Sequence, residues 1–193
     1  MLNTVLRPVR VDRPDNLPGH VRPVFTTASL VLQGAVRLVI SVAVGRLAGP
    51  EALGQVTAAL ATASILSLLW PSATGAAASR FIAAGQGGSS PQESNAAAAW
   101  LARRTLQATL VLTPIAATYW FLRSGALGEA LVLAALTAGL GGYAFVRGVH
   151  TGSRQLLRLV VWDSLASFGG ILGTLLMLRA GWDGPIVLLP LAV

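Results

Sequence analysis

Arg37 is a charge in the middle of a long apolar stretch, Val24 to Leu47, whose other charge, Arg46, stands at its end. At 1.5 Å per residue it lies ~20 Å into a helix over that stretch, near the centre of a bilayer. An arginine at that depth costs roughly 2.5–3.5 kcal/mol on insertion scales, so it is expected to face a polar interior and not lipid. Ser29, Gln33, Arg37, Ser41 and Gly45 recur every four residues and make a slowly drifting stripe on one helix face. Arg37, flanked by Gln33 and Ser41, therefore reads as the lining of a water-filled cavity that holds an anionic group. The structural alternative is an arginine bonded to neighbouring backbone carbonyls and to Gln33.

Asp163 is the second intramembrane charge. With Ser167, Gly170 and Thr174 it follows helical spacing on a later apolar stretch. It sits ~10 Å from the start of its helix, too shallow to meet Arg37. Arg80 and Arg147 lie nearer its depth, and the sequence predicts that Asp163 pairs with one of them. Such a pair is either a structural ion pair or a proton- or cation-coupling group. Gln107 either lines the cavity of Arg37 or bonds a neighbouring helix.

Enzyme chemistry finds no support. There are two histidines, His20 and His150, and no cysteine or lysine. This removes thiolate metal sites, thiol catalysis and a lysine-bearing phosphate loop. No serine has a histidine base at hand. No cofactor is expected.

These residues need membrane-spanning elements to hold them. Hydrophobic residues make up 54% of the 193 residues and charged ones 11%, against about 25% charged in soluble domains. The apolar residues come in blocks near Val24–Leu47, Glu51–Ala83, Ala96–Leu122, Leu127–Val149 and Leu156–Leu178. The expected fold is an all-α polytopic bundle of five complete spans. Pro185 to Val193 reads as the start of a sixth helix in which the chain is truncated, with residues 24–193 forming the membrane domain. Trp70-Pro71 predicts a kink in the second span. Gly169, Gly173 and the cluster from Gly139 to Gly142 read as close-packing positions. Residues 1–23 carry prolines and arginines but no apolar core, and read as a cytoplasmic arm, not a signal peptide.

All the basic residues are arginine, and the net charge is +7. They form no groove-like cluster, which argues against nucleic acid as a partner. They do set topology. With the N-terminus inside, Arg7, Arg10, Arg13, Arg22, Arg80, Arg103, Arg104, Arg147, Arg154 and Arg158 fall on the inner side. Only Arg46, Arg123 and Arg179 fall outside, which orients the chain by the positive-inside rule. The expectation is a multi-pass protein of the inner (cytoplasmic) membrane. A cysteine at Ser90 in this cysteine-free chain should react with an impermeant thiol reagent only after the cells are opened. Labelling from outside intact cells would reverse the topology.

The stretch Leu30 to Arg80 resembles the start of polysaccharide-export flippases, the Wzx-type O-antigen translocases of the multidrug/oligosaccharidyl-lipid/polysaccharide exporter superfamily. The resembling residues are Gln33, Arg37 and the run Gly45-Arg46-Leu47-Ala48-Gly49-Pro50-Glu51-Ala52-Leu53-Gly54, followed by a long helix ending in Gly75 to Arg80. Phe145 to Leu178 is similar to the family's fourth and fifth helices. Ala48, Leu53 and Gln55 depart from the family's usual large apolar residue, aromatic and tyrosine. The resemblance implies two helical bundles around a central cavity, this chain holding most of the first. It implies an undecaprenyl-pyrophosphate-linked oligosaccharide as cargo, with the second bundle and membrane lipids as partners. A drug or cation antiporter of the same superfamily is the alternative transporter. A non-transporting truncated protein acting through a partner is the alternative outside transport.

Overall fold

A computed structural model describes residues 22–86 and 91–192. The arm at residues 1–23 therefore falls almost wholly outside the described residues, as does part of the loop before Pro91. The described chain is a helical bundle: α1 (Arg22–Leu47), α2 (Gly49–Leu69), α3 (Pro71–Gln86), α4 (Pro91–Ser124), α5 (Leu127–Gly152) and α6 (Leu156–Arg179), then a 3-10 helix η1 (Gly184–Leu191). There is no strand among the described residues.

Five of these helices, α1, α2, α4, α5 and α6, are long and apolar enough to cross a membrane. Their outer faces carry Leu38, Leu68, Leu110, Leu122 and Phe168, each about two-thirds exposed or more. Water would penalise so continuous an apolar exterior, whereas lipid does not. The chain is an all-α multi-pass membrane protein.

The breaks follow from local chemistry. Gly49 adopts φ +91°, a left-handed conformation that glycine takes without cost, and Pro50 then suits the first turn of α2. At Trp70-Pro71 the second apolar block divides into two helices, because proline lacks the N–H that would continue α2. The third apolar block starts earlier than its hydropathy indicates: Pro91 opens α4 and Glu93 lies in its first turn, where a carboxylate favours the helix N-terminus. α4 then runs unbroken through Pro114.

Arg80, Arg103, Arg104, Arg147, Arg154 and Arg158 lie toward one end of the bundle, and Arg46, Arg123 and Arg179 toward the other. At the opposite end from the first group, Trp120 donates its indole N–H to Glu129 at 2.8 Å while Arg123 stacks 5.5 Å from the Trp120 ring.

α3 and α5 pack backbone against backbone. A Cβ on Gly75 would lie 2.6 Å from the Ala144 carbonyl oxygen, and one on Gly152 would lie 2.6 Å from that of Ser79. Between them, a Cβ on Gly148 would collide with the Gly75 backbone. Ala144, Gly148 and Gly152 are thus a small-residue ladder that lets two backbones touch. Thr74 and Thr105 hydroxyls, 2.6 Å apart, tie α3 to α4.

The last segment differs from the expected start of a spanning helix. η1 is a short 3-10 turn packed against α2, α5 and α6. Val187 and Leu188 are fully buried among Ile40, Val44, Val56, Leu133 and Leu136. Glycines of α5 and α6 make its seat: Gly170 and Gly173 meet Leu191 and Pro190, and Gly139 meets Ala192. Thr174 donates to the Val187 carbonyl at 3.1 Å. Pro185 and Pro190 offer no backbone N–H, which suits a short tight turn over a long helix.

Candidate functional site

The α6 stripe of Asp163, Ser167, Gly170 and Thr174 sits on one face and serves two purposes. Its Gly170–Thr174 half seats η1, while Asp163 and Ser167 face a half-open cavity of about 550 Å³. α1 contributes Gln33, Val36 and Arg37, α2 contributes Leu60, Ser64 and Ser67, and α5 contributes Leu140, Tyr143 and Arg147. Pro190 and Leu191 of η1 complete the wall. Half of the lining residues are aliphatic, and the charged side chains, the Gln33 amide and the Tyr143 phenol converge from α1, α5 and α6.

One side of the cavity is a buried hydrogen-bond network. Asp163 is 3% exposed. Tyr143 donates its hydroxyl to Asp163 Oδ1 at 2.6 Å, and Ser29 donates to Oδ2. Gln33 Nε2 donates to the Tyr143 oxygen. Ser29 and Asp163 each lie seven residues into their helices, ~10 Å of rise, which is why they meet. The network links α1, α5 and α6 through groups that lipid would otherwise leave unsatisfied.

The expected pairing of Asp163 with an arginine is not formed among the described residues. Its oxygens are taken by hydroxyls because α5 presents Tyr143, not Arg147, at its depth. Arg147 stands one turn away and lines the same cavity. Arg80 is exposed on α3 and is not part of the lining.

Arg37 lies ~12 Å further along the membrane axis than Ser29. It is exposed to the cavity, and among the described residues its guanidinium has no hydrogen-bond or ion-pair partner. Ser41 does not reach the lining: a four-residue step drifts by roughly 40°, so two steps carry it about 80° from Gln33. Gln107 is on the outer face of α4, accepting from Arg104 at 3.1 Å, far from any cavity role. Tyr143, Ser64 and Ser67 went unnoticed in the sequence. Their signal was polar atoms in the middle of apolar blocks.

Tyr143→Phe removes a hydrogen bond to a buried carboxylate. Such bonds contribute about 1.5–3 kcal/mol, so thermal unfolding in detergent should shift down by several degrees. An unchanged midpoint would mean the network contributes nothing to holding α5 on α6.

No group of three or more histidine and acidic side chains among the described residues can hold a metal ion. Comparison with protein-family models, with curated proteins and with solved structures gives no match.

Proposed function

We propose that this protein takes part in moving a lipid-linked oligosaccharide across the cytoplasmic membrane, with the pyrophosphate of the lipid carrier held by Arg37 and Arg147. The observation that carries this reading is the Arg37 guanidinium at membrane depth, facing a cavity and lacking a partner among the described residues. A buried arginine normally recovers its desolvation cost through a carboxylate or carbonyls. One left open to a cavity is suited to an anion that arrives and leaves. Pyrophosphate matches it by charge and by the geometry of a two-pronged fork. The aliphatic wall suits the polyprenyl chain, and Ser64 offers a hydroxyl for a sugar, while the Ser67 and Ser72 hydroxyls, which donate to backbone carbonyls, can still accept.

A cation antiporter would use Asp163. Both of its oxygens already accept hydroxyl hydrogens, and the cavity's remaining charges are positive, so an anionic cargo is favoured. The test is deletion of the gene in its host. Lipid-linked repeat units should accumulate on the cytoplasmic face while surface polysaccharide falls. Normal polysaccharide with no accumulation would end this reading.

A further inference from the structure

The outer face of α4 changes character along its length. From Leu110 and Val111 to Phe121 and Leu122 the exposed side chains are almost all apolar. At Gln107 the same face becomes polar and continues as Arg104, Arg103 and Trp100, all exposed. Gln107 to Ser124 covers ~27 Å of rise, close to the ~30 Å hydrocarbon thickness of a bilayer. Arg104 and Arg103 therefore sit ~5 Å beyond the hydrocarbon edge, at the level of lipid phosphates.

The group is held in place. The Arg104 guanidinium lies 5.2 Å from the Trp100 ring centroid and donates to Gln107 Oε1 at 3.1 Å. One N–H is used, and the stack fixes the plane of the fork so that its other donors are presented ready-made. Arg103 points away from the buried face formed by Leu101 and Thr105, and has no partner among the described residues. The nearest carboxylate on α4 is Glu93, ~15 Å away along the axis. Trp100, 56% exposed, lies ~10 Å beyond the hydrocarbon edge on the same count, on the water side of Arg104, where its ring holds the guanidinium at headgroup level.

We infer that Trp100, Arg103 and Arg104 form a binding site for the phosphate of an anionic phospholipid, in the leaflet at the arginine-rich end of the bundle. The site is separate from the cavity and does not depend on the proposed cargo. Two guanidiniums with no acid beside them among the described residues select a net negative headgroup over a zwitterionic one. The exposed Leu110 and Val111 just inside the arginines lie against acyl chains, which favours a lipid over a soluble phosphate.

The experiment is native mass spectrometry of the full chain released from detergent, titrated in parallel with dioleoyl-phosphatidylglycerol and dioleoyl-phosphatidylcholine. The tightest phosphatidylglycerol adduct should form at least roughly tenfold more readily, given the attraction of two basic residues to an anionic lipid. Arg103→Ala with Arg104→Ala should reduce that preference about fivefold or more. Arg103→Lys with Arg104→Lys should keep most of it, which separates lost charge from lost fold. Arg103→Gln alone, a change that breaks no hydrogen bond or ion pair among the described residues, should cut it severalfold even if the double alanine variant does not fold. Excess soluble glycerol phosphate should not displace the lipid. Equal binding of the two lipids, displacement by glycerol phosphate, or an undiminished preference in the alanine or glutamine variants would overturn the site.

Discussion

A strain whose only copy carries Arg37→Ala should lose most of its surface polysaccharide while keeping the protein in the membrane at normal level. Arg37 faces the cavity and has no protein partner among the described residues, so removing it breaks no packing and leaves no buried charge unpaired. On the proposed function, what is lost is a charge-assisted contact with the cargo, worth about 1.5–3 kcal/mol per hydrogen bond and hence ten- to over a hundredfold in binding. Arg37→Lys keeps the charge but loses the planar fork, and should retain a partial rate. Immunoblotting of membranes beside a polysaccharide assay separates the outcomes. Normal polysaccharide at normal protein level would remove Arg37 from the transport path. Loss of the protein itself would mark Arg37 as a structural residue.

Gly148→Ala should be the most damaging single methyl in the bundle. The added Cβ meets the backbone of Gly75, which cannot rotate aside as a side chain would. Overpacking of this kind costs about 1–3 kcal/mol. Here the expected cost is at the upper end, with a lowered unfolding midpoint in detergent and reduced membrane level. Gly142→Ala is the matched control, since nothing lies within 4 Å of a Cβ built there. It should leave stability unchanged or raise it by up to about 1 kcal/mol, alanine being the better helix former. Equal midpoints for the two variants would mean that α3 and α5 do not touch through this ladder.

The contrast between these glycines shows what was readable from the chain alone. The five spans were legible because lipid demands about twenty apolar residues with internally satisfied backbone, and each block meets that demand. Trp70-Pro71 announced the α2–α3 break for a similarly local reason. Helix contacts were less legible. The sequence marks Gly142 for close packing and does not single out Gly148, yet the path of α3 leaves Gly142 free and presses Gly148 against a backbone. η1 was read as a helix start because apolar residues carry no signal for turning back into a groove. Gly139 and Gly173 of its seat were visible as close-packing positions, whereas Gly169, which reads the same way, has nothing within 4 Å of a Cβ and Gly170 makes the contact in its place.

Within the site, Gln33, Arg37, Arg147 and Asp163 were legible because polar atoms at membrane depth are costly and must face one another or a cavity. The structure brings all four to one cavity. Tyr143 was not, since a phenol carries little penalty and often marks an interface. It nevertheless displaced the arginine expected beside Asp163. Ser41 and Arg80 matched by spacing or depth but not by direction: helical drift turns one aside, and α3 carries the other on its exposed side.

The most direct test of an anion-binding cavity is to titrate the purified full chain with undecaprenyl pyrophosphate and, in parallel, with undecaprenol, which shares the chain but lacks the phosphates. The pyrophosphate should bind at least roughly tenfold more tightly, and Arg37→Ala should remove most of that difference while leaving undecaprenol binding unchanged. The Arg103→Ala, Arg104→Ala variant should leave it intact, which separates the cavity from the α4 surface. Equal binding of pyrophosphate and alcohol, or a pyrophosphate preference that survives Arg37→Ala, would contradict the account.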